Sequence, residues 1–170
     1  DTYNLYMRDV ANNMMLTVDS LYESIKFVYD SEQIRIVKVN MEEVFGKTLK
    51  KYDQKIKGKK ATISADFRSC PEVCFPRGYM DTVFDHLLSN GLKFSKYGTP
   101  IEVEFSTGRA DGYVWISCKD NGIGLNLEEH KDKLFKLQKS VSEEGTISGV
   151  GLFIIKSIVD NLGGKVDIES

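Results

Sequence analysis

The chain has 170 residues, 41% of them hydrophobic and 28% charged, a composition typical of a globular protein with one ordinary domain. Its 23 basic and 25 acidic residues leave a net charge of −2, so no overall field attracts nucleic acid or an anionic membrane. All apolar runs are far shorter than the ~20 residues of a membrane span, so we expect no direct membrane contact from this segment. We expect the segment to be cytoplasmic, whether or not the full-length protein is anchored in a membrane.

Three cysteines, an odd number, do not suit a disulfide framework and favour a reducing compartment. Cys70 and Cys74 have the spacing of half a metal site. No second cysteine pair or histidine pair accompanies them, so we do not predict a metal there.

Residues 3–28 repeat apolar side chains in steps of three and four, which predicts a long helix with a near-heptad stripe. The stripe consists of Tyr3, Met7, Val10, Met14, Val18, Leu21, Ile25 and Val28. One helix cannot bury such a stripe alone. The stripe packs either on the chain's own domain or, as we favour, in a bundle with another chain or with residues upstream of Asp1.

A strand is predicted at about 33–39, followed by a helix whose start resembles a capping box formed by Asn40 and Glu43. Gly58 is predicted to end that helix. Lysines cluster near the end, where cations suit the helix dipole, so we interpret them as a solvated terminus rather than a nucleic-acid site. Residues 61–67 then alternate as a second strand.

The rest of the chain combines helices with short strands and a hairpin, which predicts helices layered on one face of a mixed sheet. Residues 126–148 are polar and irregular, apart from a possible helical turn at 127–134. The other predicted elements are a helix at 78–94, strands at 101–106 and 113–120 joined by a hairpin at 108–112, a helix at 150–162 and a strand at 165–169.

Polar side chains line one flank of the predicted helix 78–94. His86, Asn90 and Lys93 lie at i, i+4 and i+7, beside the apolar stripe, and Phe94 falls between that flank and the stripe. These residues could face a cleft beside the sheet. Taken alone, they fit ordinary boundary positions equally well.

Asp120 ends a strand in which Val114, Ile116 and Cys118 point to one face, and it falls on that same face. We therefore expect a buried carboxylate, which is costly unless it is paired. The two glycines that follow let the backbone approach a flat ligand closely.

A second pair of glycines, Gly149 and Gly151, lies where a polar loop becomes an apolar helix. The N–H groups and the dipole at a helix N-terminus favour an anion, above all a phosphate. Either glycine pair is weak evidence by itself. The order N-x-x-K on a helix, D-x-G-x-G after a strand and G-x-G-L opening a helix is much more specific.

These motifs resemble those of the ATP-binding catalytic domain of sensor histidine kinases, within the GHKL ATPase/kinase superfamily. "HLLSNGLKFS" resembles the asparagine box, "DNGIG" the first glycine box, "LFKL" the phenylalanine box and "SGVGLFIIKSIVDNLGGKVDIES" the second glycine box. The resemblance covers about 33–170. It implies an α+β fold, a two-layer α/β sandwich of the Bergerat type with helices on one face of a mixed sheet, preceded by a long N-terminal helix.

The resemblance also implies a division of the chain. Residues 1–30 would be part of the second helix of a dimerisation and phosphotransfer bundle, and 31–170 the catalytic domain. Residues from about 125 to 148 would form the ATP lid. The implied partners are ATP, Mg²⁺, a second copy of the chain through the N-terminal helix, and the receiver domain of a response regulator.

Residue roles follow from the same resemblance. His86, Asn90 and Lys93 would be catalytic, with the Asn90 amide oxygen on Mg²⁺ and Lys93 on phosphate. Asp120 would accept a hydrogen bond from the adenine amine. The implied nucleotide-binding set also includes Phe94 near adenine, Gly122, Ile123 and Gly124 in the first glycine box, Phe135 in the lid, and Gly149, Val150, Gly151 and Leu152 in the second glycine box.

Three features depart from the family pattern. His86 stands where most histidine kinases have asparagine, and Ile147 replaces the first glycine of the second glycine box. Neither His86 nor His130 has the context of a phosphoacceptor, so we expect the chain to be a fragment whose target histidine lies upstream. Two alternatives remain: an ATP-driven clamp in which His86 activates water, and a nucleotide-binding dimer without catalysis.

Overall fold

The computed structural model describes residues 35–127, 135 and 150–170. They belong to two compact units, Arg35–Leu125 and a second unit that contains the other described residues. The predicted N-terminal helix, the helical turn at 127–134 apart from its first residue, and most of the predicted lid lie outside the described residues. None of the described helices is long and apolar enough to cross a membrane.

The unit Arg35–Leu125 combines a mixed sheet, a separate strand pair and two helices. Strand β2 pairs in parallel with β4, and β4 pairs antiparallel with β5, while β1 and β3 form an antiparallel pair. The elements are β1 (Ile36–Asn40), α1 (Met41–Lys59), β2 (Thr62–Asp66), β3 (Glu72–Pro76), α2 (Arg77–Lys93), β4 (Glu102–Ala110) and β5 (Tyr113–Asp120).

Helix α1 begins as predicted and ends later. The Asn40 side chain accepts a hydrogen bond from the Glu43 N–H at 3.0 Å, which satisfies one of the unpaired N–H groups of the first turn. The predicted end at Gly58 is wrong, because Lys60 and not a glycine takes the left-handed conformation (φ 52°). Its N–H donates back to the last turn, which offsets the cost of that conformation for a residue with a side chain.

Strand β3 was not predicted. Proline cannot donate to a ladder, and Pro71 and Pro76 flank this segment, so its pattern is a weak strand signal. Among the described strands, β3 pairs with β1 alone, with Val73 buried and opposite Val39. A short strand that pairs on one side tolerates proline at its end.

The hairpin between β4 and β5 is tighter than predicted. Its turn is Asp111–Gly112, and both residues have positive φ (52° and 81°), which matches the right-handed twist of the strands. Gly108, predicted to be in the loop, lies inside β4 opposite Trp115. The indole of Trp115 occupies the space that a side chain at Gly108 would need. The predicted loop at 108–112 is therefore wrong in extent.

Four phenylalanines join both helices to the sheet. Phe84 of α2 stacks on Phe105 of β4 with ring centroids 5.3 Å apart, and Phe45 of α1 meets Phe67 edge-on at 5.5 Å. Such aromatic contacts add to the apolar area that their burial removes from water. The opposite face of the sheet exposes mainly polar residues, including Glu104 and Lys119. In this unit the helices therefore cover one face of a mixed sheet.

The second unit contains helix α3 (Val150–Asn161), within one residue of its predicted end. Its apolar side buries Ile154, Ile155 and Ile158. The predicted stop at the glycine pair is confirmed, since Gly163 has φ 75° and the Gly164 N–H donates to Val159 O at 2.9 Å.

The predicted strand at 165–169 is not formed. Alternate residues, Val166 and Ile168, are half-buried between exposed ones, as in an extended segment. However, the segment shares no backbone ladder with any strand in the described part of the chain. Alternation predicts an extended backbone, whereas a strand also requires a partner.

Candidate functional site

Helix α2 carries the three residues predicted to be catalytic. Its apolar stripe is buried, including Met80, Phe84 and Leu88, which are not accessible to solvent. His86, Asn90 and Lys93 are each partly buried, as expected on the flank of that stripe. Partial burial leaves their polar groups at the boundary between core and solvent, where they can contact a ligand.

His86 is surrounded by charges from two helices. Burial lowers its pKa below the ordinary 6.5, the neighbouring Asp85 raises it, and Lys51 of α1 lowers it. Lys51 forms an ion pair with Asp85, so the two charges next to His86 largely offset each other. The imidazole is therefore neutral near pH 7 and can accept a hydrogen bond or a proton.

The end of α2 places Lys93 and Phe94 together. Burial lowers the pKa of Lys93, and its Nζ lies 5.4 Å from the centroid of the Phe94 ring. The Phe94 N–H donates to Asn90 O at 3.0 Å and closes the last turn. Lys59 of α1 donates to Leu92 O at 2.8 Å, which further fixes the end of the helix.

The loop after β5 is attached to the end of α2. The Gly122 N–H donates to Asp120 Oδ1 at 2.8 Å, and the Ile123 N–H donates to Phe94 O at 2.9 Å. A Cβ at Gly122 would collide with Phe94 O and lie 2.6 Å from Asp120 Oδ1. Only glycine therefore allows this approach, and the approach brings the first glycine box against the asparagine box.

Asp120 is exposed, not buried as predicted. It pairs with Val103 at the end of β5, and the part of α2 that approaches it is Gly91. Glycine has no side chain to cover the carboxylate, so the carboxylate remains open to solvent or to a ligand. Burial, and secondarily the charge of Asp120, raises the pKa of the neighbouring Cys118 to about 12, so that thiol stays protonated.

Sequence reasoning missed Asn121, the residue between Asp120 and Gly122. Its Oδ1 accepts from the Glu102 N–H at 3.0 Å, and its Nδ2 donates to Pro100 O at 2.8 Å. These bonds fix the start of the loop to the start of β4. Both acceptor and donor partners are about twenty residues away in sequence, so no local pattern indicated them.

The remaining predicted site residues are in different parts of the structure. In the loop after β5, Gly124 has φ 71° and Ile123 is exposed. In the second unit, Phe135 is half-buried, with Lys156 Nζ 5.6 Å from its ring centroid. Val150, Gly151 and Leu152 form the first turn of α3, and Gly149 lies outside the described residues.

Residues 78–170 match the family described as histidine kinase-, DNA gyrase B- and HSP90-like ATPase. The chain belongs to this family. The match begins at the second residue of α2. The matched region therefore contains the asparagine box and both glycine boxes. An ATP-binding role for this domain follows from the family.

Curated relatives include the histidine protein kinase SaeS of Staphylococcus aureus, which is 26% identical over 136 residues. SaeS of Staphylococcus epidermidis is 25% identical over the same length. The match covers 78% of this chain but 39% of SaeS, so the chain spans well under half the length of these relatives. The resemblance to sensor histidine kinases is therefore confirmed for this part of such a protein.

Solved structures of histidine kinases share the fold. The nucleotide-free catalytic domain of the histidine kinase ThkA superposes with a TM-score of 0.64 at 19% identity, covering 75% of this chain and 82% of that one. ThkA in complex with the response regulator protein TrrA has a TM-score of 0.72 at 17% identity, covering 96% of this chain and 46% of that one. The predicted fold class, an α/β sandwich of helices on a mixed sheet, is confirmed.

Proposed function

We propose that this chain is the ATP-binding kinase core of a two-component sensor histidine kinase, which transfers the ATP γ-phosphoryl to a histidine outside residues 1–170. One observation carries the proposal. In a chain of this ATPase family, the first glycine box is hydrogen-bonded to the end of the helix that bears Asn90 and Lys93. A backbone hydrogen bond thus joins the segment that carries Asp120, proposed to recognise the base, to the helix that carries the side chains proposed to bind phosphate.

Asp120 is proposed to recognise adenine. Its Oδ1 accepts the Gly122 N–H, which orients the carboxylate, and the residue is exposed. Its other oxygen can then accept a hydrogen bond from the exocyclic amine of adenine. Gly122, Ile123 and Gly124 would let the purine edge lie against backbone, with Phe94 packing nearby.

Asn90 and Lys93 are proposed to hold the metal and the phosphates. An amide oxygen at the edge of the core fits Mg²⁺, which binds few protein oxygens and keeps its waters. When bound, Mg²⁺ would neutralise charge on the β- and γ-phosphates. Lys93 would contribute a cation that contacts phosphate. The family resemblance gives residues 149–152 a phosphate-binding role, for which the backbone N–H groups at a helix N-terminus are suited. Catalysis here is chiefly positioning and charge stabilisation.

The remaining parts of the chain have proposed roles that follow from the family. Residues 1–30 would be part of a dimerisation helix, and 31–170 the catalytic domain with a lid at about 125–148 that carries Phe135. ThkA has been seen with a response regulator, and we propose a response regulator as the acceptor for the whole protein here. Because ATP and such acceptors are cytoplasmic, we propose a cytoplasmic location for these residues.

The decisive experiment gives γ-labelled ATP to the full-length protein. We expect acid-labile, base-stable label on the protein, lost in Asn90→Ala and retained in the matched control Asn161→Ala, which changes an exposed asparagine at the end of α3. Residues 1–170 alone should take up no such label. Label on this fragment would contradict the proposal that the acceptor histidine lies outside it.

Light scattering tests the proposed dimerisation helix. A strictly monomeric mass of residues 1–170 at high concentration would contradict it.

His86 supports a second candidate, ATP hydrolysis. Its partly buried, neutral imidazole could accept a proton from an attacking water. The same assay distinguishes the candidates, because hydrolysis releases labelled phosphate without phosphoprotein. Neither product, with ATP bound, would indicate a nucleotide-binding dimer without catalysis.

A further inference from the structure

Gly91 lies between Asn90 and Lys93 on α2 and faces the sheet. It is buried, and a Cβ built there would come 2.7 Å from Val103 Cγ2 and 3.6 Å from Asp120 Cβ. Carbon atoms in ordinary contact lie about 3.5–4.0 Å apart. Any side chain at 91 would therefore require a shift of roughly 1 Å between α2 and β4, or a change at Val103.

Val103 cannot easily give way. It is 1% exposed and belongs to the core cluster that contains Phe105 and Leu88. A β-branched side chain is restricted in its χ1 angle, and close-packed cores leave little room for displaced methyl groups. The strain would instead move the helix away from the sheet.

Such a movement would change the distance between Asp120 and the side chains of Asn90 and Lys93. Asn90 and Lys93 are on the helix, whereas Asp120 is on the strand that neighbours β4. The two groups are connected through Phe94 O to the Ile123 N–H, a bond of 2.9 Å that an outward shift would lengthen. At Gly91 the helix comes close to the strand that carries Asp120.

We propose that Gly91 is a positioning residue, which sets the distance between the adenine-binding carboxylate and the phosphate-binding side chains of α2. The proposal rests on the proposed ATP site. A ligand that spans both groups should sense the spacing, while a ligand that reaches only one should not. ATP is the first kind of ligand, and adenosine, which lacks phosphates, is the second.

The test compares Gly91→Ala with Gly78→Ala, a matched control in the same helix where a Cβ meets nothing within 4 Å. Mg-ATP affinity is measured by calorimetry and adenosine affinity by NMR titration, with circular dichroism to monitor folding. We expect Gly91→Ala to weaken ATP binding about tenfold or more, because a shift near 1 Å takes hydrogen bonds to the ligand out of their favourable range of distance and angle. Adenosine affinity should change by less than about threefold, and Gly78→Ala should behave as the parent chain.

A second variant tests the cause. Val103→Ala removes the two methyl groups that a side chain at 91 would strike, so Gly91→Ala/Val103→Ala should regain most of the ATP affinity. If Gly91→Ala alone does not fold, a folded double variant that binds ATP still supports the proposal.

Unchanged ATP affinity in Gly91→Ala, equal losses for ATP and adenosine, or a double variant that does not regain binding would each overturn the proposal. A parent chain that binds no ATP would instead overturn the proposed function, and this inference with it.

Discussion

Replacing Asp120 by asparagine separates the two roles of this carboxylate. Its Oδ1 accepts the Gly122 N–H at 2.8 Å and so shapes the loop. The amide oxygen of asparagine can take over that bond. The other carboxylate oxygen, proposed to accept the adenine amine, becomes an NH₂ group, which would place one donor against another.

The magnitudes differ for the two roles. A hydrogen bond to a charged group contributes about 1.5–3 kcal/mol, and a neutral one about 0.5–1.5 kcal/mol. Asp120→Asn should therefore lower the free energy of unfolding by about 1 kcal/mol and reduce ATP affinity by roughly 10- to 150-fold. Asp120→Ala loses the bond to adenine and also the bond from the Gly122 N–H. Loss of the second bond should lower the free energy of unfolding by about 1.5–3 kcal/mol.

Calorimetry with Mg-ATP measures the ATP affinity, and urea unfolding measures the free energy of unfolding of the same variants. A specific signature is the base preference, because the amide NH₂ can donate to the O6 of guanine. Asp120→Asn should therefore lose preference for ATP over GTP. Unchanged ATP affinity in a folded Asp120→Asn variant would refute the assignment of adenine to this residue.

Three further predictions concern the helices and the core. Since burial lowers the pKa of His86 below 6.5, the unfolded chain takes up its proton first as pH falls. The free energy of unfolding should therefore be lower at about pH 5.5 than at about pH 7.5. Urea titrations at these two pH values should show a smaller difference for His86→Gln than for the parent chain. Phe84→Ala should destabilise by about 3–5 kcal/mol in urea unfolding, because Phe84 is fully buried and stacked on Phe105; a loss below 1 kcal/mol would contradict this packing. Asn40→Ala should cost about 0.5–2 kcal/mol and Asn40→Asp much less, since aspartate can also cap the Glu43 N–H; equal losses would argue against capping.

The sequence alone determined the elements that depend on neighbours along the chain. Helix α2 was predicted within one residue at each end from its apolar spacing, and the start of α1 from Asn40 and Glu43. The glycine boxes were identified because their spacing reflects local backbone requirements. The family followed from their order and is confirmed.

Only the tertiary structure decided the contacts between residues far apart in sequence. The Ile123 N–H reaches Phe94 O, and Asn121 binds Pro100, through a close approach of separate elements. Asp120 was expected to be buried because alternation gives the face of a residue and not what covers it. Whether the carboxylate is buried depends on the helix that packs on this face of the sheet. The residue of α2 near Asp120 is Gly91, which has no side chain to shield the carboxylate.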